Sequence, residues 1–397
     1  MTAPPRIPGR RFLHTPGPTH LPDEVLDAMH RQPVDLIDPQ LLACIEACEA
    51  GLRRLAGTAA AEVFMYAANG HGAWEAVIEN LLPQGATVLI PGTGHFSDSW
   101  ALQCERLGRR ALRTPWTEGL PIDAEAVQAV LRDDREHRIA AVFAVHTDTA
   151  SSVTSALDPL RAAIDAADHP ALFVVDAVAT LGAAPLAMDA QRIDLVVGAS
   201  QKGLMLPPGL GFVLVGPAAA AAAQRNPAPR YYWDWSRRVG ALPYQKFCGT
   251  APLPLLFALE AGLKLLFDEG VDAVLARHRR LAAAVQAAVQ AWASEGTLDF
   301  FCRDPAARSV SVTAVRTAPG VDPDAIRARA RERFQVSIAG GLGPLAGRVF
   351  RIGHLGDLNA PMVLGALAGV EAAMLSLGLP FGRDGVQRAV EVLAADD

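Results

Sequence analysis

Six short hydrophobic runs, at 63–67, 87–90, 140–145, 172–176, 195–199 and 211–215, constrain what this chain can fold into. Their apolar residues are consecutive and do not alternate with polar ones, which is the pattern of strands covered on both faces. Helical patterns lie between most of them, at 72–82, 98–107, 124–131 and 159–167. Strand–helix alternation of this kind predicts an α/β fold built on a mainly parallel sheet. At 397 residues and 51% hydrophobic content, the chain can bury a large core and form two domains. The pattern changes after about residue 252. A long helical region at 253–293 is broken near Gly270, then come a strand at 309–315, a helix at 322–334, strands at 336–339 and 349–352, and further helices. The expected division is an N-terminal arm at 1–20, a large domain at 21–260 and a small α+β C-terminal domain at 261–397.

Composition narrows the function. A net charge of -6 gives no electrostatic reason to expect nucleic acid or an anionic membrane as partner. The five cysteines, Cys44, Cys48, Cys104, Cys248 and Cys302, show no metal-ligand spacing with histidine. They read as free thiols of a reducing cytoplasm, with no metal expected. Residues 1–10 contain three prolines and lack the apolar core of a signal peptide. The stretch 203–223 is uncharged and long enough to span a membrane, but Pro207, Pro208, Pro217 and four glycines divide it into turn, strand and helix start. Arg327, Arg329, Arg331 and Arg333 recur every two residues on an expected helix, so they spread around it and form no basic face.

Five segments carry potential chemistry. Lys202 follows the run 195–199, at the edge where α/β sheets bind ligands. Burial there would lower its pKa and suit it to a Schiff base, and the plain alternative is a solvated charge. Asp176 closes an apolar run, and a carboxylate so placed needs a partner. A protonated pyridine nitrogen would serve, as would a turn cap. Asn69-Gly70-His71-Gly72 joins a strand to a helix, where amide N–H groups favour phosphate, although ordinary turns look alike. His146-Thr147-Asp148-Thr149 follows another strand and could orient a cofactor or substrate, or be a polar loop. Arg351, amid strand residues, suits a substrate carboxylate or a surface charge.

In order and spacing these segments resemble the class V aminotransferases of pyridoxal-phosphate fold type I, nearest to the serine–glyoxylate branch of the alanine–glyoxylate group. The likeness covers nearly the whole chain. It extends through Phe12–Thr19, Gly94-His95-Phe96, Arg230–Trp235, Phe247–Pro252 and Arg351–Asn359. The resemblance implies a homodimer that binds pyridoxal 5′-phosphate and moves an amino group from a small amino acid, serine or alanine, to glyoxylate or another small 2-oxo acid. It implies Lys202 as Schiff-base lysine and proton shuttle, and Asp176 as partner of the ring nitrogen. Phe96 and Val178 would lie against opposite faces of the ring. Asn69, Gly70, His71 and Gln201 would surround the phosphate, and Thr149 would meet the ring. Thr250 would reach the phosphate of the neighbouring subunit, and Arg351 would bind the substrate carboxylate. Two departures stand out. Phe247 occupies a position where relatives often carry tyrosine, and the loop after Thr149 reads Ala150-Ser151-Ser152 where a threonine–glycine pair is expected. A lyase such as a cysteine desulfurase, using Cys248, and a non-catalytic cofactor-binding protein are the competing readings.

Overall fold

The computed structural model describes residues 8–395. Most of the segment 1–10, read above as no signal peptide, lies outside them. The main sheet has seven strands: β1 (Glu62–Ala67), β2 (Thr87–Ile90), β3 (Arg110–Arg113), β4 (Ile139–Val145), β5 (Leu172–Asp176), β6 (Leu195–Ala199) and β7 (Leu210–Val215). Their spatial order is β1-β7-β6-β5-β4-β2-β3. All neighbours are parallel except those of β7, which runs antiparallel to both β1 and β6. The central strands face apolar layers on both sides, which explains their unbroken hydrophobic runs. Phe173 and Val175 of β5 pack with Leu52 and Leu256, while Val174 packs with Trp74, Trp100 and Phe143. Strand β3 lacked a sequence signal because it is a half-exposed edge strand with arginine at each end. The uncharged stretch 203–223 becomes a turn, β7 and part of the helix Pro217–Arg225. Among the described residues no helix is long and apolar enough to cross a membrane.

A second sheet of five strands has the order Phe12–His14, Val336–Gly340, Val349–Gly353, Val312–Thr317, Leu298–Phe300. Its first strand pairs in parallel with Val336–Gly340, so the N-terminal arm is stitched into the C-terminal region. The strand expected from 309 begins only at Val312. Before it, the Ser309 hydroxyl accepts from the Ser311 amide at 3.0 Å, a local bond that competes with the ladder. The long helical region splits into Leu253–Glu269 and Val271–Trp292 around Gly270, whose φ of +91° suits glycine. Residue 260, the expected boundary, falls inside the first helix. Its Leu256, Leu259, Leu263 and Leu266 belong to the core beneath the large sheet, whereas a separate core begins at Leu281.

Candidate active site

The carboxyl ends of β1, β4, β5 and β6 open into one cleft, the location expected for ligands of such a sheet. Its lining includes Asn69, Gly70, His71, Phe96, Thr149, Asp176, Val178, Gln201 and Lys202. These nine are all the proposed cofactor and catalytic residues except Thr250. Trp74, Thr147 and Ala179 complete the lining. Thr250 is exposed and does not line the cleft of its own chain, and Arg351 stands just outside it.

The helix Gly70–Leu81 starts directly at the cleft. Asn69 caps it, its side-chain oxygen accepting from the Gly72 amide at 3.2 Å. The first amides of such a helix have no partner within it and favour an anion. The start of this helix packs tightly on the loop after β5, where a Cβ on Gly70 would lie 3.3 Å from Val178 Cγ2.

Asp176, the last residue of β5, is buried and accepts two hydrogen bonds. The Val178 amide donates to Oδ1 at 2.7 Å and the Trp74 indole N–H to Oδ2 at 3.0 Å. Burial outweighs both donors and raises its pKa to about 6. Lys202 is half-buried three residues beyond β6. Burial, helped by the charge of Arg351, lowers its pKa to about 8, so far more of it is neutral near pH 7 than for a solvated lysine. Its ammonium donates to the Pro16 carbonyl. Gly17, at φ +101°, lies over the same side chain, and a Cβ there would fall 2.5 Å from Lys202 Cδ. The N-terminal arm thus roofs the lysine. The other two lysines of the chain are committed elsewhere, Lys246 to Glu49 and Lys264 to Asp268.

Arg351 is 5% exposed. It ties the small sheet to the loop after β4, with Nε donating to the Gly340 carbonyl at 2.6 Å and Nη1 to the Thr149 carbonyl at 2.8 Å. Burial lowers its pKa to about 10, and it remains a cation at neutral pH. Asp148 braces the loop, with Oδ2 accepting from the Phe96 amide at 2.8 Å and Oδ1 from the Ala150 amide at 2.9 Å. In that loop Ser152 adopts φ +57°, a left-handed conformation that a non-glycine residue takes at some strain. His354 is engaged on both ring nitrogens, by Thr313 at 2.9 Å and by the Val310 carbonyl at 2.9 Å. Phe247 is buried in the core. Cys248 is half-buried, and neither it nor any other cysteine lines the cleft of its own chain, where a desulfurase reading would want a nucleophile.

Sequence reasoning missed Trp74 as a partner of Asp176 and Pro16-Gly17 as a contact of Lys202. Trp74 looked like one more apolar residue on a buried helix face. The arm's contact joins residues 186 positions apart. The glycine of Pro16-Gly17-Pro18 was the available signal, since it marks a close approach of backbone.

The cleft therefore gathers an amide-rich helix start, a buried carboxylate with donors but no contacting cation among the described residues, and a lysine of lowered pKa. The buried Gln201 Oε1 adds an acceptor with no protein partner among the described residues. This set fits a phosphorylated, protonatable aromatic aldehyde, and it defines the class as pyridoxal-phosphate enzymes of fold type I. The aminotransferase class-V family model matches residues 11–343. The chain is 38% identical over 379 residues to a serine–glyoxylate aminotransferase of Methylorubrum extorquens, covering 94% of this chain and 93% of the relative. It is 37% identical to an L-aspartate–glyoxylate aminotransferase of Paracoccus denitrificans, covering 93% and 92%. The fold matches a ureidoglycine–glyoxylate aminotransferase of Bacillus subtilis with a TM-score of 0.88 at 28% identity, over 98% of this chain and 100% of the other. This chain belongs to the class V aminotransferase family. It is a pyridoxal-phosphate-dependent aminotransferase.

Proposed function

We propose that this aminotransferase moves the amino group of a small amino acid, serine in preference to alanine, to glyoxylate. The observation that carries the reading is the placing of Lys202 and Asp176 in one cleft at the carboxyl ends of adjacent strands β6 and β5, with Arg351 held close by. Lys202 holds the cofactor and, when released by the donor, carries the proton taken from the donor's Cα. Asp176 pairs with the ring nitrogen. Gly70, His71 and Gln201 hold the phosphate, and Asn69 shapes their turn. Phe96 and Val178 bound the ring, Thr149 meets its edge, and Arg351 binds the donor carboxylate. The bound cofactor supplies the carbonyl carbon that accepts the amino group and a ring that takes up electrons.

The arm's roof over Lys202 favours small substrates, and glyoxylate is the smallest 2-oxo acid. Among His146, Asp148, Thr149 and His354 as partners for a serine hydroxyl, His146 does not line the cleft, while Asp148 and His354 are already engaged. Thr149 lines it and is the remaining candidate. An acidic donor such as aspartate would need a second cation. His71, the other basic side chain of the lining, is held below its usual pKa by burial and is committed to the phosphate. A site that bonds the serine hydroxyl loses partners when alanine binds, a difference worth a few kcal/mol. The test is kcat/KM for serine, alanine and aspartate with glyoxylate saturating. Serine should lead, and a serine-to-alanine ratio at or below one rules out the donor assignment.

The exposed Thr250 fits a homodimer in which it serves the neighbouring cleft, and exposed Tyr231, Tyr232, Val239 and Tyr244 offer apolar surface nearby in sequence. The five free thiols suit a reducing compartment such as the cytoplasm. We take the arm, large domain and small domain as functional units, with the arm acting as part of the small domain.

A further inference from the structure

Asp176 has to remain an acceptor while buried, and one of its two donors is the indole of a core tryptophan that also lines the cleft. Trp74 lies one turn into the helix Gly70–Leu81, the helix whose start faces the cleft. Its indole is 2% exposed. It stacks on Trp100 with ring centroids 5.1 Å apart and planes at 11°. Trp100 in turn stacks on Phe143 of β4 at 4.6 Å. This aromatic column fixes the indole plane, and its N–H meets Asp176 Oδ2 at 3.0 Å. The Val178 amide holds the other oxygen at 2.7 Å, so both oxygens are oriented from outside the strand.

We propose that Trp74 is a positioning residue of this aminotransferase, acting on the cofactor's ring nitrogen through Asp176. The inference rests on the assignment of Asp176 to that nitrogen. The chemistry is one of shared-proton placement. A donor on Oδ2 lowers the carboxylate's affinity for a proton, so a proton between Asp176 and the ring nitrogen stays on the nitrogen. Burial works in the opposite direction, raising the pKa of Asp176. The charged groups bearing on Asp176 from neighbouring loops are Lys202, which lowers its pKa, and Asp148, which raises it. Phenylalanine at 74 would keep most of the packing and remove the donor.

The experiment compares the parent, Trp74→Phe, Asp176→Asn and the double variant, each loaded with cofactor 15N-labelled at the ring nitrogen. Thermal melts report folding, and replacing Trp74 by the isosteric benzothienylalanine removes the N–H without changing shape. NMR reads nitrogen protonation against pH, separately from turnover. Loss of the Trp74 donor should move the nitrogen signal toward the neutral-ring value. It should lower kcat by about tenfold with the donor KM little changed, and shift the acid limb of kcat to higher pH. In the Asp176→Asn background it should change nothing further. A benzothienylalanine enzyme with the parent's nitrogen signal and kcat overturns the proposal alone. If Asp176→Asn itself leaves the nitrogen signal unchanged, the Asp176 assignment falls and the proposal with it.

Discussion

The two sheets present their functional side chains differently. In the large sheet these residues stand at or just beyond strand ends: Asp176 ends β5, Lys202 lies three residues past β6, and Asn69 two past β1. In the small sheet Arg351 sits inside the strand Val349–Gly353, flanked by ladder partners Ala314 and Ala339. At the last residue of a strand, where Asp176 still pairs with Val145 and Val197, or beyond it, the chain is leaving the ladder and can aim reactive groups into a common cleft. Within a strand a side chain is fixed by its neighbours and suits holding over reacting. The pKa values agree with this division. Lys202 is lowered to about 8, near the range where a base works, whereas Arg351, lowered to about 10, stays charged. Residues of the large sheet edge should therefore govern kcat, and Arg351 should govern KM.

The largest expected effect is at Asp176. Asp176→Asn should retain the cofactor and lose about 10²–10³ in kcat, roughly 3–4 kcal/mol. Near-normal kcat would break the comparison at its strongest point.

The same substitution should act in the opposite direction on the stability of the cofactor-free protein. The folded pKa of Asp176 is about 6, above the 3.8 of an unperturbed aspartate, so its contribution is most favourable below pH 4 and is lost as pH rises through 6. At neutral pH that burial costs on the order of 3 kcal/mol. The Tm of apo Asp176→Asn relative to the apo parent should rise between pH 4 and pH 8, and a pH-independent difference would show that the carboxylate is solvated without cofactor.

Much of this was legible in the sequence, for physical reasons that differ between the regions. Strands β2, β5 and β6 could be read to the residue because both faces are buried, and a small or polar residue marks where the sheet ends. The strand Phe12–His14 could not be read, because it has three residues and its partner lies more than 300 positions away. Arg351 could be located but not its anchors, since the carbonyls of Gly340 and Thr149 carry no side-chain signal. The Ala150-Ser151-Ser152 departure could be seen in the sequence, but not the left-handed turn that its backbone takes at Ser152.

A smaller effect should sharpen the KM side of the comparison. Arg351→Lys keeps the charge and loses the planar fork, so kcat/KM for the donor should fall by about ten- to a hundredfold, mostly through KM. A loss confined to kcat would move Arg351 into the reacting group. The smallest effect is expected at Thr250. Thr250→Ala should weaken cofactor affinity by about tenfold, and dilution of the parent should release cofactor as dimers dissociate. A monomer with undiminished cofactor affinity would remove the neighbouring subunit from the site.

The central claim is that Lys202 carries the cofactor, and the chain's three lysines make it simple to test. Borohydride reduction of the purified holoenzyme, followed by digestion and mass spectrometry, should show the phosphopyridoxyl adduct on Lys202 and none on Lys246 or Lys264. An adduct on either of those, or on no lysine, would contradict the account.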